Sequence, residues 1–329
     1  MTMTDREHTV LRNVGRGHND GEIAASLHVS EDTVRRHVGR ILDKLGLRDR
    51  AAAIVYAFDN GVVEPSWTVG SAPIPAGPRT VDRARLRFAA LGPLRAWSDG
   101  RPVDLGPVRQ QAVLAALLLR PDVTVARQDL LSDVWDFEQP SSAVAPVYIY
   151  RLRQRLTPHD GQREAVIASD SAGYRFVSRG IGCDVAEWDE LVGRATQAEQ
   201  DEDLPRAVDA YSLAVALFTG EPLAGLPGPF AAGQRLRLAE RRMAVTLAKL
   251  RLQVRLGDHA DAIGELFPLT QSHPYHESAA ALLIHTLHAS GRQADALAVY
   301  RRTRQRLIND LGVEPGTLLC RAHWSVLRG

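Results

Sequence analysis

The amino-acid sequence predicts a mainly α-helical protein built from several domains. Three observations lead to this fold class. Residues 1–65 carry apolar side chains at helical spacing, residues 79–180 mix helical periods with short alternating segments, and residues 181–329 are patterned as helices throughout. Residues 66–78 are rich in proline, glycine and small side chains, as is typical of a linker, and a softer boundary falls at residues 179–183. We therefore expect an all-α first domain, an α+β second domain and an all-α third domain.

The composition is typical of a globular protein without a membrane segment. The 329 residues are enough for two or three domains, and 45% of them are hydrophobic. There is no run of 18 apolar residues, and the polar N-terminus lacks the pattern of a signal peptide. Cys183 and Cys320 fit neither a disulfide framework nor a zinc site. These features predict a cytoplasmic protein that binds no metal.

The net charge of +1 hides an uneven distribution of charged side chains. Residues 66–180 hold 15 basic and 11 acidic side chains, whereas residues 1–65 and 181–329 have net charges of −1 and −2. Within the first domain, residues 35–50 hold six basic side chains and only two acidic ones. A phosphate backbone responds to such a local excess, so both regions are candidates for contact with DNA.

The first domain is predicted to contain four short helices. Thr4 and Glu7 have the spacing of a capping box, which marks the start of the first helix. Asp20 and Ser30 are placed to cap the second and third helices, and a fourth is expected over residues 49–61. The apolar residues expected to face the core are Val10, Leu11, Val14, Ile23, Ala24, Leu27, Val34, Val38, Ile41, Leu42 and Leu45.

Residues 23–45 have the pattern of a helix-turn-helix. A recognition helix needs a rigid turn from the preceding helix, an apolar inner face and an outer face that reaches bases and phosphates. Arg35, Arg36 and Arg40 lie opposite the apolar stripe of the third helix. The residues expected to contact DNA are Ser30, Thr33, Arg35, Arg36, His37, Arg40 and Lys44.

Two runs of sequence in this domain resemble the LuxR-type helix-turn-helix. They are T-D-R-E-H-T-V-L (residues 4–11) and G-H-N-D-G-E-I-A-A-S-L-H-V-S-E-D-T-V-R-R-H-V-G-R-I-L-D-K-L-G-L-R-D-R (residues 17–50). The resemblance covers about residues 3–62. It implies that Thr33, His37 and Lys44 contact phosphates and that Arg35 and Arg36 read bases. Gly39 departs from the bulkier residue common at its position, which leaves one fewer side chain to read a base.

The second domain has the element order of a winged helix: strands, three helices and a terminal hairpin. The predicted strands are residues 86–94, 102–105, 165–168 and 174–177, and the predicted helices are residues 108–119, 128–135 and 143–156. Leu152 and Leu156 are expected to face the core. A start of the third helix at Ala143 is tolerable if Pro146 lies in its first turn; otherwise the helix begins later and has fewer residues that can read bases.

The DNA contacts of the second domain are expected on this third helix and in the hairpin. The arginines near the helix end can reach phosphates, and the residues before them can meet base edges or thymine methyl groups. Tyr148 is as well explained by a place in the core. The candidates are Val147, Tyr148, Tyr150, Arg151, Arg153, Arg155 and Arg175.

The third domain contains an internal repeat. G-D-H-A-D-A at residues 257–262 recurs as G-R-Q-A-D-A at residues 291–296, an offset of 34 residues. This is the period of a tetratricopeptide helix pair. A degenerate earlier copy is predicted around residues 205–211.

The second and third domains together resemble the Streptomyces antibiotic regulatory protein family, SARP. In the second domain, which resembles the OmpR-type winged helix, the motifs are L-G-P-L-R-A-W (91–97), D-L-G-P-V-R-Q-Q-A-V-L-A-A-L-L-L (104–119), Y-I-Y-R-L-R-Q-R-L (148–156) and A-G-Y-R-F (172–176). In the third, which resembles the bacterial transcriptional activation domain, they are F-T-G-E-P-L-A-G-L (218–226), H-P-Y-H-E (273–277), S-G-R-Q-A-D-A-L-A-V-Y-R-R (290–302) and L-G-V-E-P-G (311–316).

The family resemblance, which covers about residues 86–327, implies a transcriptional activator of an antibiotic gene cluster. Such proteins bind direct repeats near a promoter and recruit RNA polymerase holoenzyme. The expected partners are therefore promoter DNA and the polymerase, with no membrane and with a homodimer on DNA left open. The added LuxR-type domain leaves open which of the two DNA-binding domains sets specificity.

Two other functions remain to be weighed. In the first, the helical domain senses a ligand or partner and controls DNA binding. In the second, the protein is an enzyme, but the sequence has no phosphate-binding loop, no metal-ligand spacing and no nucleophile elbow. We therefore expect no catalytic residues and no cofactor.

Overall fold

The computed structural model of the chain describes residues 3–15, 20–45, 47, 50, 53, 56, 57, 62, 86–135, 144–156 and 166–328. The chain divides into two compact units, residues 1–81 with 137–150, and residues 82–136 with 151–329. Across the described ranges, no helix is both long and apolar enough to cross a membrane.

Three helices form the described part of the N-terminal domain: α1 (Asp5–Gly15), α2 (Asp20–Leu27) and α3 (Glu31–Leu45). The capping box is confirmed, because the Thr4 N–H donates to Glu7 Oε2 at 2.8 Å and the Glu7 N–H donates to Thr4 Oγ1 at 3.3 Å. Leu27, Leu42 and Leu45 are half-buried against the core and not fully inside it. The fully buried apolar residues are Val10, Leu11, Val14, Ile23, Ala24, Val34, Val38, Ile41, Ala53 and Ala57.

The predicted fourth helix, residues 49–61, lies largely outside the described residues. Of that segment the structure describes Arg50, Ala53, Tyr56 and Ala57. Ala53 and Ala57 are buried with the apolar residues of the three helices, so this part of the sequence contributes to the same core.

The second unit begins with two small sheets. Strands β1 (Leu86–Ala89), β2 (Arg95–Ser98), β3 (Arg101–Val103) and β7 (Ile181–Cys183) form a four-stranded sheet in the order β3-β2-β1-β7. Strands β4 (Thr124–Ala126), β5 (Ile167–Ser169) and β6 (Gly173–Phe176) form a three-stranded sheet in the order β4-β6-β5. The hairpin β5–β6, predicted from the sequence, pairs Ala168 with Arg175.

The sheets differ from the strands predicted from the sequence at three places. The segment 86–94 is not one strand, because the chain bends over residues 90–94 and returns as β2, antiparallel to β1. β4 was not predicted. β7 lies inside the predicted boundary at residues 179–183 and pairs parallel to β1, so this boundary is part of a sheet.

The helices of this central region are α4 (Val108–Leu118), α5 (Arg127–Trp135) and α6 (Val144–Leu156). Pro146 lies in the first turn of α6, where its missing N–H costs no hydrogen bond within the helix, so the helix does not start later than this proline. Leu152 and Leu156 are buried as expected. Phe88 and Phe176 meet edge to face, with ring centroids 5.5 Å apart, and so join the two sheets in one core.

The remaining elements are helical: α7 (Asp184–Gln200), α8 (Leu204–Ala216), α9 (Pro229–Leu256), α10 (His259–Ser272), α11 (Glu277–Ala289), α12 (Gln293–Arg306), a π-helical turn (Leu307–Leu311) and α13 (Thr317–Arg328). The 34-residue repeat appears as a repeated turn. Gly257 and Gly291 both have positive φ angles, 90° and 74°, immediately before the caps of α10 and α12. Only glycine adopts this conformation without strain, which explains why the residue recurs.

The central region and the helical region are closely joined within the second unit. Helix α9 contacts α5 and α4. Arg120 forms an ion pair with Asp133 at 2.6 Å and lies over the ring of Phe230, 4.2 Å from its centroid. The N–H of Leu223 donates to the carbonyl of Gly92 at 2.7 Å. Within the second unit, helices α4 and α5 and the helical region are therefore packed together.

Candidate nucleic-acid interface

The turn before α3 holds the first two predicted DNA contacts. The N–H of Thr33 points to Ser30 Oγ at 3.4 Å, and the two hydroxyl oxygens lie 2.9 Å apart. Ser30 therefore caps α3 as predicted. Ser30 is exposed and Thr33 half-buried at the positive end of the helix dipole.

The arginines of α3 differ in their surroundings. Arg35 donates to Asp32 at 3.0 Å and lies 4.0 Å from the carboxylate of Asp20, so two carboxylates hold its guanidinium. Arg36 and Arg40 are exposed on the outer face of the same helix. Gly39 lies between them, and a Cβ added there would meet nothing within 4 Å. The outward face of α3 is thus open at Arg36 and Arg40, whereas Arg35 is held by carboxylates.

Lys44 is held inside the domain. Its ammonium donates to both oxygens of Glu7 at 2.8 and 2.7 Å, and Glu7 is only 3% exposed. The hydrogen bond from Lys44, together with the N–H of Thr4, lowers the pKa of Glu7 to about 2. Glu7 is therefore ionised and paired across the physiological range, and Lys44 serves as its partner.

The predicted contacts on α6 fall into an exposed and a covered group. Tyr150 is 61% exposed and Val147 38% exposed, whereas Tyr148 is half-buried. Ile149, between them, is buried. Val147 and Tyr150 are therefore exposed, and Tyr148 is the half-buried member of the predicted base-reading residues.

The arginines near the end of α6 are bonded to the rest of the domain. Arg153 donates to the carbonyl of Ile167 at 2.8 Å and to Ser169 Oγ at 2.6 Å. Arg155 donates to the Asp104 carbonyl at 3.0 Å and forms an ion pair with its carboxylate. Arg153 therefore fixes α6 to the β5–β6 hairpin. Arg151 is half-buried.

Arg175, in β6, faces two acidic side chains. A hydrogen bond from Thr124 and the N–H groups of Gly173 and Ala172, with the nearby charge of Arg175, lower the pKa of Asp170. Hydrogen bonds from Ser178, together with the nearby charge of Arg175, lower the pKa of Asp122. Arg175 is half-buried, so its charge is partly balanced by Asp122 and Asp170 before any phosphate approaches.

The sequence reasoning missed the acidic partners of these cations. Glu7 is 37 residues from Lys44, and Asp104 is 51 residues from Arg155. Helical spacing shows which face a cation occupies, but it carries no information about a carboxylate that far along the chain.

Three family models match successive parts of the chain. Residues 1–57 match "Bacterial regulatory proteins, luxR family", residues 100–176 match "Transcriptional regulatory protein, C terminal", and residues 183–327 match "Bacterial transcriptional activator domain". These matches fit the helix-turn-helix, the winged helix and the helical region described above. They define a bacterial transcriptional regulator.

Individual relatives give the family. The regulatory protein AfsR of Streptomyces coelicolor is 43% identical over 70% of this chain and 23% of its own length. The regulatory protein DnrI of Streptomyces peucetius is 30% identical over 74% of this chain and 92% of its own. The chain belongs to the SARP family of transcriptional activators and carries a LuxR-type domain at its N-terminus.

A solved structure shows the same fold. Mycobacterium tuberculosis EmbR, determined in complex with a low-affinity phosphopeptide, superposes with a TM-score of 0.68 at 31% identity, over 74% of this chain and 65% of EmbR. The chain spans about a quarter of the AfsR proteins that it matches, 23% in Streptomyces coelicolor and 27% in Streptomyces griseus.

Proposed function

We propose that the protein is a sequence-specific activator of an antibiotic gene cluster that binds direct repeats near a promoter and recruits RNA polymerase holoenzyme. The observation that carries the proposal is that two helices, α3 and α6, each expose side chains suited to DNA. Arg36 and Arg40 are exposed on α3, and Val147 and Tyr150 on α6. Membership of the family supports an antibiotic cluster as the target.

In this proposal, residues 1–65 and 79–180 bind one promoter together, and residues 181–329 contact the polymerase. A flexible chain of 13 residues, such as the predicted linker 66–78, has an r.m.s. span of about 20 Å. Once one domain is bound, such a tether raises the effective concentration of the second domain at an adjacent site.

Substitutions on the two helices are expected to weaken DNA binding separately. Arg35→Ala/Arg36→Ala removes the proposed base readers of α3. Tyr150→Ala/Arg151→Ala removes two predicted DNA contacts of α6 without breaking the hydrogen bonds of Arg153 to the hairpin. Because a base contact is worth about 1–3 kcal/mol, each pair is expected to reduce affinity about tenfold or more. Footprints and gel shifts with the full chain on the neighbouring promoters measure this.

Arg302→Ala is the matched control, because Arg302 is an exposed arginine in the helical region. It should leave the footprint unchanged. If the α3 pair leaves both footprint and affinity unchanged, the N-terminal domain does not read DNA here. If neither pair has an effect, the proposed mode of binding is wrong.

The helical region offers a surface for the polymerase. On α13, Arg321, Trp324 and Arg328 share one face, since they are three and four residues apart, and Trp324 is 57% exposed. Tryptophan and arginine are enriched at the energetic centres of protein interfaces. We propose that α10–α13 form two tetratricopeptide-like repeats whose last helix presents this face.

Trp324→Ala is expected to lower promoter activation at least several-fold while leaving DNA binding intact, because an interface tryptophan contributes about 2 kcal/mol or more. Transcription in vitro and footprinting on the same template measure both quantities. Leu236→Ala, also at an exposed apolar residue (67% exposed), is the control and should leave both unchanged. Loss of the footprint with Trp324→Ala would support the alternative function, in which the helical domain senses a partner and controls DNA binding.

A further inference from the structure

A cleft of about 670 Å³ opens between the start of α1 and the outer face of α3. Both helices belong to the first unit. The side chains that line the cleft are Thr4, Arg6, Glu7, His37, Arg40 and Lys44. Three of them, Thr4, Arg6 and Glu7, were not among the DNA contacts expected from the sequence, so the cleft extends beyond the predicted recognition face.

The charges around the cleft favour an anion. Its lining holds three cations and one carboxylate, and that carboxylate, on Glu7, is already paired with Lys44 at 2.7 Å. Arg6 and Arg40 remain, both exposed, one from each wall of the cleft. Arginine is the side chain best matched to a phosphoryl group, because its planar guanidinium can donate two parallel hydrogen bonds to two oxygens.

His37 gives a second, independent observation at the cleft. Its ring lines the cleft, and its buried Nδ1 has no hydrogen-bond partner among the residues that the structure describes. A buried polar atom without a partner is costly. His37 therefore brings a polar ring with an unsatisfied nitrogen to the wall of the cleft.

We propose that the α1–α3 cleft is a phosphoryl site in which Arg6 and Arg40 hold the anion and Lys44 acts only through Glu7. The phosphoryl group comes either from the DNA backbone or from a free phosphorylated small molecule. With DNA as the source, this inference rests on the proposed DNA-binding function. It assigns a phosphate contact to Arg6. This arginine lies in the capping-box sequence T-D-R-E at the start of α1, so the pattern of the recognition helix does not indicate it.

Inorganic phosphate is the probe for the first arm of the test, titrated into the full chain with the ring resonances of His37 as the signal. Arg6→Ala and Arg40→Ala should each weaken phosphate binding at least about tenfold. Arg36→Ala, an exposed arginine of α3 outside the cleft, should bind phosphate as the unaltered protein does. Arg6 is exposed, so its removal leaves the capping bonds between Thr4 and Glu7 in place.

The second arm measures duplex DNA affinity against salt concentration. If a backbone phosphate occupies the cleft, Arg6→Ala should reduce the slope of log affinity against log salt by about one, whether or not free phosphate binds measurably. Weaker phosphate binding with an unchanged slope assigns the cleft to a free phosphorylated ligand. If Arg6→Ala changes neither quantity, the proposal is overturned. Loss of DNA affinity in Arg36→Ala would still support the proposed function in that case.

Discussion

Gly228→Ala is expected to destabilise the second unit by about 3 kcal/mol or more. Gly228 precedes α9 with φ 98° and ψ 156°, a conformation essentially restricted to glycine. A Cβ at this position would lie 2.5 Å from the carbonyl oxygen of Asp133 and 2.8 Å from the Cα of Val134. Both atoms belong to the backbone of α5, so the clash cannot be relieved by rotating a side chain. Backbone strain and overpacking each cost about 1–3 kcal/mol.

Urea unfolding of the full chain, followed by the circular dichroism of its helices, measures this loss. Gly233→Ala is the matched control, because Gly233 lies in the same helix and a Cβ there meets nothing within 4 Å. Alanine in an open helical position should be neutral or should stabilise by up to about 1 kcal/mol. Equal midpoints for the two variants would show that α9 and α5 do not approach each other at Gly228.

The loss of stability expected for Gly228→Ala should also affect function, because α5 belongs to the winged helix and α9 to the helical region. The contact at Gly228 lies beside the Arg120–Asp133 ion pair and the ring of Phe230. Weakening this junction should therefore uncouple the domain proposed to bind DNA from the domain proposed to contact the polymerase.

Local signals in the sequence predicted local structure well. The capping box at Thr4 and Glu7 is confirmed at hydrogen-bond distance, since a cap depends only on residues within one helical turn. The repeat at offset 34 corresponds to two turns with the same glycine conformation, at Gly257 and Gly291. In each case the residue type is dictated by a backbone requirement at that position, so the sequence pattern carries the information.

Structure that depends on distant pairing was not predicted. β7 has three residues and exists because it pairs with β1, Ile181 beside Leu86, far apart in the sequence. No periodicity is visible in three residues, and loop-forming glycines surround them. The carboxylates that pair with Lys44 and Arg155 were missed for the same reason, because they too are distant in the sequence. The sequence indicated core residues of α3 and α6 such as Val38 and Leu152, which are buried, and long-range contacts decide which of the cations on these helices remain available.

Asp184→Ala is expected to destabilise the protein by about 2–5 kcal/mol at neutral pH. Asp184 begins α7 and is 5% exposed. Its carboxylate accepts the N–H of Ala90 at 2.8 Å and the N–H of Leu91 at 2.9 Å, just after β1. Without the carboxylate, two buried N–H groups lose their acceptor, and each costs about 1–3 kcal/mol. Thermal unfolding of the full chain at pH 7 measures the loss.

The same carboxylate should make stability depend on pH. Burial raises the pKa of Asp184 to about 6, although the hydrogen bonds from Leu91 and Ala90 oppose this rise. Between pH about 4 and 6 the folded state therefore binds more protons at this group than the unfolded state. The contribution of Asp184 to the free energy of unfolding then falls as pH rises through that window, by about 3 kcal/mol.

Asp184→Asn separates the charge from the hydrogen bonds. The amide oxygen can still accept from the backbone of Ala90 or Leu91, but the side chain has no charge to desolvate. At pH 7 this variant should be more stable than Asp184→Ala, and its unfolding midpoint should fall less between pH 4 and 6 than that of the unaltered protein. Asp209→Asn, at an exposed aspartate of α8, is the control and should keep the original pH profile. If Asp184→Asn also keeps that profile, the buried carboxylate does not titrate in this window, and its bonds to Ala90 and Leu91 hold it charged throughout.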